Sequence, residues 1–242
     1  METLGIEFTT FSLIGRCERT GMLGVAIATS EMAVGSRCIH VAPNVGAVLT
    51  QASTNPRLGV LGLNLMRAGY SASRALAEIA ASDTHVERRQ LGCLDVSGHA
   101  AGRTGAGNRP WAGHRAAHNV VAAANAVVGA EVVEAMFTTF QNKLDQPLWE
   151  RLLAALEAGK RAGGQPDGEQ SAGLYVVDRE AFATVDLRVD LNPEPVRELR
   201  RLADHYFPLI PYYSLRPFDP DLPRADDWLR EQGGDRSAPG KR

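Results

Sequence analysis

Polar side chains interrupt the apolar strands that the sequence predicts, and most of them carry hydroxyl groups. Thr10 and Ser12 lie within the first predicted strand, Ser30 closes the second, and Ser171 begins a late strand. A further group ends the third predicted strand, just before a helix: Thr50, Gln51, Ser53, Thr54 and Asn55. Buried polar groups need hydrogen-bond partners, so this pattern indicates either a shared site or a satisfied internal network.

Hydroxyl groups in such a cluster can carry out acyl transfer, which needs a nucleophile, a base and donors for the oxyanion. Thr10 would supply both nucleophile and base if it became the first residue of the chain. A free α-amino group has a pKa of roughly 8, so it can take the proton of the hydroxyl. Backbone amides and the side-chain amide of Asn125 are the predicted oxyanion donors.

Two other interpretations stay open at this point. An internal hydroxyl, of Thr10 or Ser12, would need His40 or His114 as its base. That arrangement requires about 3 Å between the imidazole nitrogen and the hydroxyl oxygen. The third interpretation is a binding or assembly protein without catalysis, because a fold does not fix a function.

Residues near the predicted strand ends are candidates for the site. Arg57 has the guanidinium geometry to bind a substrate carboxylate through two hydrogen bonds, and a surface arginine in the first turn of a helix is an equal alternative. The predicted catalytic residues are Thr10, Asn125 and Ser171. The predicted substrate-binding residues are Ser12, Ser30, Gln51, Asn55, Arg57, His114 and Gln170.

Composition excludes several classes of function. The 242 residues carry a net charge of −2, and no basic stripe is interleaved with aromatic residues, so we expect no nucleic-acid partner. No run of about 18 apolar residues occurs, so we expect no membrane span. Residues 1–8 lack the features of a signal peptide, which favours a cytoplasmic protein.

The sequence also lacks the motifs of metal and cofactor sites. Cys17, Cys38 and Cys93 are far apart, and neither HExxH nor a phosphate-binding GxxxxGK[ST] loop occurs. His114 and His118 have the spacing of a metal pair on a helix, but they flank a predicted junction between a loop and a strand. We therefore expect no metal and no cofactor, with a small molecule as substrate.

The order of the predicted elements favours an α+β protein. Predicted strands cover residues 8–14, 23–30, 44–52, 90–96, 99–104, 118–128, 171–177 and 184–189. Predicted helices cover residues 56–67, a segment capped by Ser71, and residues 131–142, 147–161 and 196–206. Runs of strands that alternate with pairs of helices suit two stacked antiparallel sheets with helices on their outer faces, a four-layer αββα sandwich.

The chain is predicted to hold one main domain, residues 10–206, behind an N-terminal extension of residues 1–9. Residues 207–242 are rich in proline and aromatic residues. We expect this tail to lie on the domain or on a second subunit, and its last residues, from about Gly233, to be disordered. A homodimer or a higher homo-oligomer is therefore expected.

Several blocks of the sequence resemble one family. They are TTFSL, GMLGVAIATSEMAVGSR, VGAVLTQASTNPRLGVLGLNLMRAG, RQLGCLDVSGHAAGRTG, WAGHR, LLAALEAGKRAGG, EQSAGLYVVD and VDLRVD. Together they are similar to the domain of unknown function 1028 family, which is described as N-terminal-nucleophile hydrolase-like. The resemblance implies that four-layer fold and hydrolysis of an amide or cyclic amide bond in a small molecule.

Family members often begin Met-Thr-Phe-Ser, and Thr10 matches that threonine. Here nine residues precede Thr10, so activation implies cleavage of the bond between Thr9 and Thr10, or a different start codon. The family's Gln-Gly-Asn-Met stretch retains only Asn125. The loop of residues 163–171 has lost an acid and its basic residues, which changes the charge that it presents to a substrate.

Overall fold

The first two strands form the hairpin that carries Thr10. A computed structural model describes residues 9–233, and in it β1 (Thr10–Arg16) pairs antiparallel with β2 (Leu23–Thr29). Gly21, in the turn between them, has a φ of +79°, which glycine adopts at low cost. Apolar residues predominate in both strands, which are buried along nearly their whole length.

The hairpin lies in the middle of a six-stranded antiparallel sheet, whose order is β10-β9-β2-β1-β8-β7. A second antiparallel sheet has four strands in the order β3-β4-β5-β6. The remaining strands are β3 (Ile39–Ala42), β4 (Gly46–Ala52), β5 (Arg89–Asp95), β6 (Ala100–Thr104), β7 (Gly113–Ala117), β8 (Val120–Asn125), β9 (Ser171–Val177) and β10 (Ala183–Val189). The predicted arrangement of two antiparallel sheets with helices is confirmed.

Helices pack against both sheets. They are α1 (Pro56–Arg67), α2 (Ala72–Ala81), α3 (Glu131–Gln141), α4 (Leu148–Arg161), α5 (Pro195–Tyr206), α6 (Ile210–Leu215) and α7 (Ala225–Glu231). The side chains of Asn55 and Ser71 cap the first two helices by accepting hydrogen bonds from backbone N–H groups. None of the helices within residues 9–233 is both long and apolar enough to cross a membrane.

Buried hydrophobic residues form three clusters. The first joins the six-stranded sheet to α3, α4 and α5, and it contains Phe11 and Phe140. The second lies between the two sheets, around Ile14 and Leu49, and the third joins the four-stranded sheet to α1 and α2, around Ile79. Burial of apolar surface in these clusters is the main force that holds the sheets and helices together.

Strand alternation decides which side chains face the space between the sheets. Successive side chains of a strand point to opposite faces, so Phe11 and Leu13 pack with the helices of the first cluster. Ile14 belongs to the cluster between the sheets, and Thr10 and Ser12 share its face of β1. Two hydroxyl groups therefore face the four-stranded sheet.

Two strands and the helices of the tail were not predicted. β3 and β7 lie at sheet edges, and β7 is formed by small and basic residues without a clear apolar alternation. Pairing with a neighbouring strand, which local sequence does not reveal, creates such strands. The predicted strand 118–128 is shorter, because only Val120–Asn125 pairs in β8.

Residues 207–233 contain α6 and α7, and the rings of Tyr206 and Tyr213 stack with their centroids 5.6 Å apart. That residues 207–242 form a tail separate from the main domain stays a prediction. The disorder predicted from about Gly233 onward concerns mainly residues 234–242. The predicted N-terminal extension consists mainly of residues 1–8. Both segments lie outside the described residues.

Candidate active site

Four polar residues form a row across the inner face of the six-stranded sheet. Asn125 of β8, Thr10 of β1, Thr29 of β2 and Ser171 of β9 are consecutive register partners. All four are buried, and they lie at one end of their strands. The structure therefore brings together the three residues predicted as catalytic, and it adds Thr29 to them.

Thr29 connects Thr10 to the peptide bond that precedes it. Thr29 Oγ1 donates a hydrogen bond of 2.6 Å to the carbonyl oxygen of Thr9, and it lies 3.1 Å from Thr10 Oγ1. Thr29 thus donates its one hydroxyl proton to the carbonyl oxygen of Thr9. Thr10 is therefore the donor in the contact between the two hydroxyl groups. The backbone N–H of Ser30 is a second donor to the Thr9 oxygen, at 3.3 Å.

A cavity of about 150 Å³ opens beside Thr10. Its lining residues are Thr10, Thr29, Glu31, Val34, Arg37, Cys38, Thr54 and Pro56. Cys38 contributes a thiol to this lining, and burial raises the pKa of that thiol to about 11. The thiol is therefore protonated at neutral pH and is a poor nucleophile.

Ser171 holds the segment that forms one wall of this cavity. Its Oγ accepts a hydrogen bond of 3.1 Å from the backbone N–H of Val34 and donates one to the carbonyl oxygen of Glu31. Val34 begins a short 3₁₀ turn, and Arg37 and Cys38 follow that turn into the cavity lining. Ser171 thus shapes the cavity through the backbone of residues 31–38.

A buried network of amides links the two sheets behind Thr10. Ser12 Oγ donates to Gln51 Oε1 at 2.6 Å, and Gln51 Nε2 donates to Gln90 Oε1 at 2.7 Å. Asn125 Nδ2 donates to the same Gln90 oxygen at 3.0 Å. Two residues predicted for the site, Gln51 and Asn125, therefore meet at Gln90, and Ser12 joins them through Gln51.

The other predicted residues lie around the cavity or away from it. The Oγ of Ser30 is 3.5 Å from the backbone nitrogen of Thr9, which donates to it. Asn55 caps α1 with a hydrogen bond of 3.2 Å from the backbone N–H of Arg57, whose side chain is exposed. Gln170 is also exposed, and neither it, Asn55 nor Arg57 lines the cavity.

Neither predicted histidine base reaches a candidate hydroxyl. Within residues 9–233, His40 Nε2 lies 3.3 Å from the carbonyl oxygen of Arg37, and His114 Nδ1 lies 2.9 Å from Thr104 Oγ1. No hydrogen bond joins either imidazole to Thr10 or Ser12 in that part of the chain. Burial lowers the pKa of both histidines, so both rings are neutral at pH 7.

Sequence reasoning missed Thr29 and Gln90. Thr29 ends an apolar strand one residue before Ser30, so the same strand-end signal applies to it. Gln90 is the first residue of the predicted strand 90–96, and Gln51 is the next-to-last residue of the predicted strand 44–52, so both are polar residues that border apolar runs. Among residues 9–233, no group of three histidine, cysteine, aspartate or glutamate side chains is placed to hold a metal ion.

Comparisons with known proteins place this chain in a family. The model of a family of unknown function, DUF1028, matches residues 10–199. The chain is similar to the crystal structure of protein SPO2555 from Silicibacter pomeroyi, also assigned to DUF1028. The TM-score is 0.76 and the identity 28%, over 92% of this chain and 94% of that one.

More distant likenesses are to Anbu (ancestral beta-subunit) from Yersinia bercovieri and to an Anbu (Gly-1) mutant from Hyphomicrobium sp. strain MC1. The first has a TM-score of 0.38 and 12% identity, over 88% of this chain and 98% of that one. The second has a TM-score of 0.39 and 13% identity, over 89% and 98%. A search of curated proteins found no match.

The family match begins at Thr10, the first residue of β1, and extends through β10 into α5. It therefore covers both sheets and every residue of the polar row and of the amide network. The resemblance seen in the sequence blocks is confirmed, and the chain belongs to the DUF1028 family.

Proposed function

We propose that this protein is a cofactor-free amide hydrolase whose nucleophile is Thr10 and whose fold is the four-layer αββα sandwich of N-terminal-nucleophile hydrolases. The position of Thr29 carries the proposal, because its hydroxyl contacts both Thr10 Oγ1 and the carbonyl oxygen of Thr9. The three hydrophobic clusters, on the two sides of each sheet, support the layered fold.

Activation is a cleavage of the chain by Thr10 itself. Thr10 Oγ1 attacks the carbonyl carbon of Thr9, and the new C–O bond forms as the peptide C–N bond breaks. The nitrogen of Thr10 receives the proton that the hydroxyl loses. Water then hydrolyses the ester, which restores the hydroxyl and leaves a carboxylate on Thr9. Negative charge that develops on the Thr9 oxygen is stabilised by its donors, Thr29 Oγ1 and the N–H of Ser30.

In the processed chain the free α-amino group of Thr10 acts as the general base. Thr10 Oγ1 attacks the carbonyl carbon of the substrate amide, and the α-amino group takes the proton of the hydroxyl. The proton then passes to the amide nitrogen of the substrate, which leaves as an amine. Water then hydrolyses the acyl ester in the same way. The cavity of about 150 Å³ suits an acyl group about as large as benzene, which favours a small amide or cyclic amide as substrate.

A second candidate function is a binding or assembly protein on the same scaffold. Thr10 is only 2% exposed while Thr9 is attached to it, and in that state its hydroxyl is not offered to a substrate. Tyr213, Leu215 and Phe218 are exposed apolar residues beyond the last strand, and they support a homo-oligomer in which a second copy covers them.

Intact mass and N-terminal sequencing of the purified protein test the proposed function. We expect a chain that begins at Thr10, and we expect Thr10→Ala to keep its N-terminal segment and to be inactive. Thr10→Ser, which retains a hydroxyl, is the matched control and should still be processed. An unprocessed wild-type chain, or processed Thr10→Ala, would exclude self-cleavage and leave the binding function. A panel of small amides and lactams, assayed with the processed chain, then tests hydrolysis.

A further inference from the structure

The side-chain amide of Gln90 has only one possible orientation. Its nitrogen lies 2.9 Å from the carbonyl oxygen of Ala124 and 3.0 Å from that of Gly113, and 2.8 Å from Thr104 Oγ1. Backbone carbonyl oxygens only accept hydrogen bonds, so the atom that faces them must be the N–H₂ group. Gln90 is fully buried on β5, between the two sheets, where an unpaired amide is costly.

This orientation determines two other amides. Gln90 Oε1 accepts at 2.7 Å from Gln51 and at 3.0 Å from Asn125, so both neighbours turn their nitrogens toward Gln90. The oxygen of Gln51 consequently faces Ser12, which must donate to it at 2.6 Å. Two carbonyl groups of the backbone thus set the direction of a chain of side-chain hydrogen bonds.

Asn125 is the member of this chain that lies beside Thr10. The two residues are register partners on β8 and β1, and their side chains share the inner face of the sheet. Because Nδ2 of Asn125 is turned to Gln90, the carboxamide offers its oxygen at the other end. Within residues 9–233, no hydrogen bond to Asn125 Oδ1 is present.

We infer that Gln90 is a positioning residue, which turns Asn125 so that its oxygen accepts a hydrogen bond from the α-amino group of the processed Thr10. The inference rests on the proposed function, and it gives Asn125 a role other than the oxyanion donor that the sequence suggests. With an N–H of the amine held by Asn125, the amine lone pair is left to take the proton of Thr10 Oγ1. The oxyanion is then stabilised by hydrogen bonds from Thr29 Oγ1 and the N–H of Ser30.

The pH profile of the processed enzyme tests this role. An oxygen acceptor stabilises the ammonium form and raises the pKa of the α-amino group, so its loss should lower that pKa. In Gln90→Met we expect the acid limb of kcat/KM to move down by about half to one pH unit. Gln51→Met is the matched control, because it leaves the bond between Gln90 and Asn125 in place, and its acid limb should not move. An unmoved limb in Gln90→Met with a lower kcat would overturn the inference in favour of an oxyanion role.

A second measurement needs neither processing nor a stable variant. Nitrogen-15 NMR of the full wild-type chain should show slow hydrogen exchange for the side-chain N–H₂ of Asn125 and of Gln90. Fast exchange at Asn125 would overturn the orientation, whether or not Thr10 is released. An unprocessed chain with a protected Asn125 would contradict the proposed function and the amine role, and it would leave the orienting effect of Gln90 supported.

Discussion

Thr10 Oγ1 and Thr29 Oγ1 lie 3.1 Å apart on neighbouring strands, and the second hydroxyl is committed to the carbonyl oxygen of Thr9. In the proposed self-cleavage, these two register partners of the first hairpin supply the donor and the nucleophile for one peptide bond. Sheet hydrogen bonds and full burial hold both side chains, so little reorganisation is needed before attack.

Replacing Thr29 by valine should slow the cleavage between Thr9 and Thr10 by about 100- to 1000-fold, the usual effect of removing one oxyanion donor. Valine keeps the shape of threonine and loses only the hydroxyl. The rate is measured by intact mass against time after synthesis. Thr29→Ser should retain most of the rate, and an unchanged rate in Thr29→Val would show that the hydroxyl has no part in cleavage.

Replacing Ser171 by alanine should lower the free energy of unfolding by about 1–3 kcal/mol, because the buried N–H of Val34 and the carbonyl of Glu31 each lose a partner. Denaturant unfolding measures this loss. Ser73→Ala, which changes an exposed hydroxyl on α2, is the control and should cost much less. Equal effects of the two substitutions would mean that Ser171 does not hold residues 31–38.

Gly59 is a position where alanine should destabilise a helix. A Cβ atom at this residue of α1 would lie 2.0 Å from Cδ2 of His40, so the imidazole would have to move. We expect Gly59→Ala to cost about 1–3 kcal/mol, as overpacking does, although alanine is the better helix former. Thermal unfolding of Gly59→Ala combined with His40→Ala should show recovery, and failure to recover would point to another cause.

Asp83 should contribute to stability in a pH-dependent way. Its hydrogen bond from Arg89 Nε, at 2.7 Å, is the main cause of a lowered pKa for this carboxyl. A pKa below the unfolded value of about 3.9 means that the contribution is complete above that pH and disappears as pH falls through the folded pKa. Denaturant unfolding between pH 3 and pH 7 should therefore show a steeper loss on acidification in the wild type than in Asp83→Asn. Parallel curves would contradict the ion pair's role.

Hydropathy predicts that Thr10, Asn125 and Ser171 belong to strands, with Thr10 inside residues 8–14 and Asn125 inside residues 118–128. The structure places all three at strand ends, because the paired segments are β1, β8 and β9. Thr29 and Gln90 show the limit of that reasoning. Their importance comes from distances of about 3 Å to residues on other strands, and a one-dimensional pattern gives the face of a strand without its neighbours. Arg57 lies in the first turn of α1 with an exposed side chain, as in the surface alternative stated for it, and its role in binding stays a prediction.

The edge strands were missed for a related reason. β3 has four residues, and β7 consists of Gly113, His114, Arg115, Ala116 and Ala117. The residues of β7 have little preference for a strand, and β7 pairs only because β8 offers a free edge next to it. The two strands of the central hairpin, in which apolar residues predominate, were predicted to within two residues.

The amide network between the sheets also restricts how this protein can change through evolution. Apolar side chains in a core tolerate many exchanges of similar volume, but Gln51, Gln90 and Asn125 share donors and acceptors that have a direction. A substitution at one of them leaves a buried donor or acceptor of its partner without a hydrogen bond, and only a second, matching substitution restores that hydrogen bond. We therefore expect these positions to vary together or not at all among relatives, whereas the surrounding leucines and valines drift singly.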